Sequence, residues 1–178
     1  VEETMKTTLE TERLILREMT QADLAALAAI LQDTQTMYFY EGAFTEAEAR
    51  GWLDRQLARY QTDGFGLWAV ILKETGAMIG QMGVTWQPAE DERVPEIGYL
   101  FNRAYWHNGY AAEAAVACKQ YAFEVLGFPE IYSIIRASNI PSMNVAIRNG
   151  MCIRKHFTKH YRGVDMPHFL FSVRKGGL

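Results

Sequence analysis

The segment from Tyr105 to Glu113 has the residue types that bind an anion through backbone amides. The run before it, residues 96–101, is short, apolar and aromatic as in a β-strand, whereas residues 111–126 are rich in alanine with apolar positions at helical spacing. Asn108 and Gly109 stand between them, and both tolerate unusual backbone angles and occur at helix starts. The first amides of a helix have no internal partners and, with the helix dipole, favour a phosphate. An ordinary capped helix would also have this pattern.

A second group of polar residues lies about thirty positions downstream. Asn139-Ile140-Pro141-Ser142 places two capping residue types and a proline at a predicted helix start, and Gly150 ends that helix. Either Asn139 or Ser142 is suited to be the cap.

Together, these two groups resemble the GCN5-related N-acetyltransferases (GNAT) and, within them, the RimJ/RimL-like branch. The resemblance rests on three patterns, which are Trp106-x-x-Gly109-x-Ala111, Asn139-x-x-Ser142 and Asn149-Gly150-Met151. It covers nearly the whole chain, from Thr11-Glu12-Arg13-Leu14 to the terminal strands. His107 departs from the glycine that the branch usually has there.

The resemblance implies that an acetyl group passes from acetyl-CoA to a primary amine by direct attack in a ternary complex without a metal. It places the pyrophosphate of acetyl-CoA on the backbone amides of the turn, and the pantetheine on backbone at the end of the preceding strand. Asn139 would contact the coenzyme and Ser142 would support the leaving thiolate. The implied turn and strand residues are Leu100, Phe101, His107, Asn108, Gly109, Tyr110, Ala111 and Ala112.

Glu96 is the candidate general base. Strand alternation places it on one face with Val94, Gly98 and Leu100, and Gly98 leaves space for a ligand. Most strand carboxylates simply face solvent, and it is the resemblance that implies a base here. An apolar cleft would raise the pKa of this glutamate towards the operating pH.

An aromatic cluster at residues 35–42 has no helical period and supplies Tyr38 and Tyr40 as candidate substrate contacts. The alternative is that these rings cover the core between two helices. The resemblance implies one wall of the acceptor site.

The acceptor itself stays open between a protein N-terminus and a small amine such as a polyamine, an amino acid or an antibiotic. An α-amine with a pKa near 8 is about one-tenth neutral at pH 7 and therefore demands less of the base than a lysine does. A noncatalytic acyl-CoA-binding sensor is the alternative function, and the presence of both Glu96 and Ser142 favours the enzyme.

The elements that position these residues are predicted in the order β, α, α, β, β, β, α, β, α, β, β. The pattern indicates an α/β (α+β) fold, a single GNAT-type domain with a mixed, splayed sheet of about seven strands and about four helices. We expect capped helices after Thr20 and Thr45, a polar loop over residues 88–92, and strands over residues 152–161 and 168–174. The domain would span residues 11–176, after a tail of residues 1–10 that is partly vector-derived if Met5 is the natural start.

Composition limits the remaining choices. The 178 residues are 49% hydrophobic and 22% charged, and no apolar run approaches the about 20 residues of a membrane helix. A net charge of -3 argues against nucleic acid as a partner and favours cationic or neutral acceptors. The two cysteines form no Cys-x-x-Cys pair, so we expect neither a disulfide framework nor a zinc site, and a cytoplasmic location. The sequence is compatible with a homodimer.

Three histidines in the terminal strands are the remaining candidates for metal ligands. His156 and His160 share a strand face but would lie about 13 Å apart, too far for one ion. We therefore expect these two and His168 at the surface or at a pocket rim.

Overall fold

The computed structural model describes residues 6–40 and 42–177, so the predicted vector-derived residues 1–4 lie outside the described part. Eight strands and four α-helices make up the described chain, with short 3-10 helices at Gln21–Asp23, Thr36–Phe39 and Arg103–Tyr105. In chain order the elements are β1 (Thr7–Glu10), β2 (Leu14–Arg17), α1 (Leu24–Leu31), α2 (Glu46–Thr62), β3 (Leu67–Leu72), β4 (Met78–Ala89), β5 (Glu92–Phe101), α3 (Tyr110–Glu124), β6 (Glu130–Arg136), α4 (Ile140–Arg148), β7 (Cys152–Tyr161) and β8 (Val164–Arg174).

All strands join one mixed sheet in the order β1-β2-β3-β4-β5-β6-β8-β7. Every neighbouring pair is antiparallel except β5 and β6, which run parallel and are in register only at Glu96 and Tyr132. The two strands therefore diverge beyond Glu96, which is the splay that the sequence predicts. The predicted fold class is confirmed, with eight strands rather than about seven.

Helices cover both faces of the sheet. On one face, Trp52 of α2 donates its indole N–H to the Gln81 side chain of β4 over 3.0 Å. On the other face, Tyr121 of α3 packs edge-to-face against Trp68 of β3, with ring centroids 5.4 Å apart. A single large core fills both layers and includes the fully buried Leu14, Ile30 and Met82.

The helix starts follow their capping residues. Thr45 and Glu48 form a reciprocal capping box before α2, and Thr20 with Asp23 forms another before the 3-10 turn that leads into α1. Asn139 caps α4, because its side chain accepts from the Ser142 amide at 3.2 Å.

Two sequence expectations need correction. Thr7–Glu10 is an edge strand paired with β2 rather than part of a tail, and its shortness and polar ends leave almost no apolar signal. The predicted polar loop is also mostly strand, since Pro88 pairs with Arg93 and Ala89 with Glu92 around a two-residue turn. Glu90 in that turn has a φ of 55°. The polar residues there are exposed strand ends.

No helix of the described residues combines the length and apolar character that crossing a bilayer requires.

Candidate active site

Two cavities meet where β5 and β6 diverge. The hairpin cavity, of about 330 Å³, lies between α2, β5 and the β7–β8 hairpin, and it contains Glu96. The turn cavity, of about 510 Å³, extends from the end of β5 past residues 105–112 to α4. Side chains that line both cavities mark the junction, namely Phe39, Tyr40, Tyr99, Leu100, Asn139 and Ser142.

The segment between β5 and α3 forms a tight turn beside the turn cavity. His107 and Gly109 both have left-handed backbone, with φ of 64° and 78°, and α3 begins directly afterwards at Tyr110. Glycine adopts this conformation without cost, whereas at His107 the side chain opposes it. His107, Gly109, Tyr110, Ala111 and Ala112 all line the cavity, at the end of the helix where the dipole favours an anion.

Asn108 supports this turn from within. Its side-chain amide donates to the carbonyls of Tyr105 and Trp106 at 3.2 and 3.0 Å, and it does not line the turn cavity. Of the six predicted turn residues, Asn108 is thus the one that the structure turns away from the site.

Arg13 braces the turn from a distant part of the chain, and sequence reasoning did not single it out as a site residue. Its guanidinium donates to the Asn108 carbonyl at 3.0 Å, pairs with Glu113 at 2.8 Å, and lies 4.4 Å from the centre of the Tyr110 ring. The sequence indicated Arg13 only as part of Thr11–Leu14, where the family resemblance begins.

Glu96 lies in the hairpin cavity at the start of the splay. Its Oε2 accepts from the Ile134 amide at 2.7 Å, and a Cβ added at Gly98 would lie 3.4 Å from its Oε1. Burial raises the pKa of Glu96 to about 7, although Lys159, the Ile134 amide and Arg59 favour the charged form. A carboxyl with this pKa is poised to exchange protons near neutral pH.

Ser142 lies at the junction, in the third position of α4, beside two phenols. The Tyr99 hydroxyl donates to the Ser142 carbonyl at 2.7 Å. Burial raises the pKa of both Tyr40 and Tyr99, and hydrogen bonding with the Ser142 side chain offsets part of that rise. Both phenols therefore stay protonated at neutral pH. Sequence reasoning missed Tyr99, because alternation places it on the sheet face opposite Glu96, and only the splay opens both faces to ligands.

The end of β5 lacks a strand on its β6 side. Beyond Glu96, no described residue of β6 is in register with β5. On this side, side chains rather than a strand contact residues 97–101, since Ser133 donates to the Ile97 carbonyl at 2.8 Å and Trp106 donates to the Phe101 carbonyl at 2.9 Å. Leu100 and Phe101 lie in this stretch, and both line the turn cavity.

The aromatic segment contributes differently from the expectation for Tyr38. The 3-10 helix Thr36–Phe39 turns Tyr38 outwards, where it is 71% exposed and lines neither cavity. Phe39 and Tyr40 line both cavities. Tyr38 was expected at the acceptor site, and it points away because the segment forms a short 3-10 helix that the aromatic cluster does not predict.

The three histidines separate into two kinds. His156 and His160 are exposed on β7, and His160 contacts the Asp165 carboxylate. His168 is buried and lines the hairpin cavity. Among the described residues, no group of three histidine, cysteine, aspartate or glutamate side chains is arranged to hold a metal ion.

Comparison with known proteins agrees with this geometry. The sequence pattern described as the Acetyltransferase (GNAT) domain matches residues 13–152. The chain is 37% identical to the uncharacterized protein YkkB of Bacillus subtilis over 163 residues, which is 91% of this chain and 92% of that protein. It is 32% identical to the uncharacterized N-acetyltransferase YnaD of the same organism, over 85% of this chain and 86% of that one.

Solved structures share the fold along almost the entire chain. An acetyltransferase from Agrobacterium tumefaciens superposes with a TM-score of 0.80 at 30% identity, over 97% of this chain and 96% of that one. RimL, a ribosomal L7/L12 alpha-N-protein acetyltransferase, has a TM-score of 0.80 at 14% identity, over 96% of this chain and 95% of RimL, and this likeness concerns the fold. The chain therefore belongs to the GNAT acetyltransferases and is an acyltransferase.

Proposed function

We propose that the chain transfers the acetyl group of acetyl-CoA to a primary amine. The observation that carries this proposal is the junction of the two cavities, where Ser142 lines both cavities and Glu96 lines the hairpin cavity. A candidate base and a candidate proton donor therefore share one cavity.

The turn cavity fits acetyl-CoA. Amides from His107 to Ala112 would hold the pyrophosphate, and the backbone at Leu100 and Phe101, beyond the last register pair of β5 with β6, would hold the pantetheine. Asn139 borders the junction, where its side chain is already engaged as the cap of α4. Its proposed contact with the coenzyme therefore uses the amide nitrogen, because the oxygen accepts from the Ser142 N–H.

Glu96 would accept the proton of the attacking amine at Oε1, directly or through a water. Oε2 is held by the Ile134 amide, and within the described residues no group donates to Oε1. When bound, acetyl-CoA supplies the thioester carbon to which the amine nitrogen bonds as the C–S bond breaks. With a pKa of about 7, Glu96 is about half ionised at neutral pH and can take the proton.

Ser142 would donate a hydrogen bond to the leaving sulfur. The Tyr99 hydroxyl already donates its proton to the Ser142 carbonyl, so Tyr99 positions the start of α4. Tyr40, whose long 3.5 Å contact to the Tyr99 carbonyl is weak, is the phenol beside Ser142 that can return a proton to it. A thiol with a pKa near 8.5 is a good leaving group, so a hydrogen bond suffices.

The acceptor is proposed as a protein N-terminal α-amine or a small amine. RimL is an alpha-N-protein acetyltransferase of ribosomal L7/L12, and its fold is shared with this chain. An α-amine also loses its proton more readily than a lysine, which suits a base with a pKa of about 7.

The test is thiol release from acetyl-CoA across a panel of amines, together with calorimetry of acetyl-CoA binding. We expect binding without an acceptor and thiol release with at least one amine class. A protein that binds acetyl-CoA and releases no thiol with any amine would be a sensor, and the proposal would fail.

A further inference from the structure

The charge of the hairpin cavity is opposite to that of the whole chain. The net charge of -3 favours a cationic or neutral acceptor. Among the described lining residues, however, Glu96 is the only carboxylate, whereas Arg59, Arg136 and Lys159 are cationic. A polyamine would meet three positive charges there, so the expectation from net charge is wrong for this cavity.

Arg136 and Lys159 lie on one side of the cavity, next to His168. Arg136 is opposite His168 in the β6–β8 register, and Lys159 is opposite Met166, two residues before His168 on the same strand face. Burial lowers the pKa of His168, and the positive charges of Lys159 and Arg136 lower it further. These two charges therefore act on the same place, although they come from β6 and β7.

Neither cation is neutralised within the described chain. No described carboxylate lies within ion-pair distance of Arg136 or Lys159, whereas Lys155, on the same strand as Lys159, pairs with Glu90 at 3.3 Å. The Arg136 side chain donates to the Tyr38 carbonyl at 3.3 Å, a neutral acceptor that leaves most of its donors available.

Two further donors face this cavity. Arg59 is half-buried, and its side chain bonds only the neutral Gln56 side chain at 3.2 Å. Gln81 is fully buried with its oxygen on Trp52, and its Nε2 has no partner among the described groups. Buried donors of this kind are satisfied when a ligand brings acceptor oxygens.

The three cations of the cavity could serve only to adjust the pKa of Glu96, but this explains two of them. Lys159 and Arg59 both favour the ionised form of Glu96, but Arg136 is not among the groups that shift its pKa. Arg136 nevertheless lines the same cavity, and its guanidinium suits bidentate contact with a carboxylate or phosphate.

We propose that the acceptor is a primary amine that also carries a carboxylate or phosphate, which pairs with Arg136 and Lys159 while the amine lies at Glu96. This inference rests on the proposed acetyl transfer. It selects amino acids and amino-phosphoesters over polyamines among the small-amine acceptors.

The test compares matched amines that differ only in the anionic group. L-phenylalanine is paired with L-phenylalaninamide, and O-phosphoethanolamine with ethanolamine, with thiol release measured for each. The amide's less basic amine gives it the chemical advantage, so preference for the acid would report recognition. We expect kcat/KM at least about tenfold higher for one anionic member than for its partner, as one charged hydrogen-bonding contact provides.

Variants then assign the preference to its residues. Arg136→Gln should reduce the preference at least about tenfold, and Arg136→Lys should keep part of it, because charge remains without the bidentate geometry. Lys155→Gln removes a paired cation of the same hairpin outside the cavity and should leave the preference unchanged. Melting temperatures identify any variant that fails to fold.

The outcomes separate the two proposals. Preference for the carboxylate pair or for the phosphate pair identifies the anion. Thiol release that is equal or faster with the neutral members would overturn the inference and leave acetyl transfer standing, as would a preference that survives Arg136→Gln in a folded protein. Thiol release with none of these four amines would overturn the inference, and absence of release across the whole amine panel would overturn acetyl transfer as well.

Discussion

At the scale of single residues, Glu96 presents two carboxylate oxygens in different surroundings. Oε2 receives the Ile134 amide, whereas Oε1 lies towards the open side of Gly98. Protonation at Oε1 leaves the bond to Ile134 in place. The side chain can therefore accept and release a proton without a change in its position.

We expect Glu96→Gln to lower kcat about 100-fold at pH 7, within the range that positioned acid-base groups provide. Glutamine keeps an acceptor for the Ile134 amide, so the fold should persist. In the parent protein, kcat/KM should rise with pH through about 7 as Glu96 ionises. The variant should lack this rise and recover only at high pH, where the amine is neutral by itself. An unchanged rate at pH 7 would remove Glu96 from the base role.

Ser142 gives a second prediction at this scale, with Asn139 as its control. Ser142→Ala should reduce turnover moderately with KM for acetyl-CoA nearly unchanged, because the hydroxyl acts on the leaving sulfur. The capping side chain belongs to Asn139, so Asn139→Ala should cost about 1 kcal/mol of folding free energy and Ser142→Ala much less. Steady-state kinetics and urea unfolding of both variants test this. A stability loss in Ser142→Ala without a turnover loss would contradict it.

At the scale of elements, the turn between β5 and α3 offers a test of anion binding by backbone. Gly109→Glu places a negative side chain at a left-handed position where the phosphate would lie. Calorimetry should show loss of acetyl-CoA binding, with a modest fall in melting temperature. Undiminished binding would contradict the assignment.

His107→Gly is the matched variant in the same turn. It removes a side chain from left-handed backbone and keeps every amide, so acetyl-CoA binding should persist and stability should change by less than about 1 kcal/mol. Loss of binding here would mean that the imidazole, rather than the backbone, holds the anion.

Elements with a local signal were predictable from the sequence. The capping box at Thr45 fixes the start of α2, and the β-branched and aromatic run Cys152–Tyr161 is a strand with the predicted bounds. The start of β8 at Val164 was not predicted, because its first residues are mostly exposed and lack apolar alternation. Tertiary contacts were beyond reach: Arg13 contacts the turn across about a hundred residues, and Tyr99 gains its role only because β6 diverges from β5.

At the scale of the whole molecule, the raised pKa of Glu96 links catalysis to stability. A carboxyl whose pKa is higher in the folded state stabilises the fold fully below its unfolded pKa of about 4.3, and this contribution disappears as pH rises through the folded pKa of about 7. The full difference corresponds to at most about 4 kcal/mol, since one unit of pKa is about 1.4 kcal/mol.

We therefore expect the parent protein to lose up to about 3 kcal/mol of unfolding free energy relative to Glu96→Gln between pH 4.5 and pH 8. Urea unfolding of both proteins across this range measures the difference, in which the contributions of all other titrating groups cancel. Parallel profiles would mean that burial of Glu96 costs the fold nothing.

The single register pair between β5 and β6 constrains how such a protein can diversify. Glu96 is the proposed base and also accepts the Ile134 amide of β6, so moving the base to another strand would leave that amide without an acceptor. In the described sheet, the β7–β8 hairpin pairs with β6 and not with β5. New acceptor specificities are therefore accessible by exchange of side chains such as Lys159 on the hairpin, while the chemistry stays anchored to one position of β5.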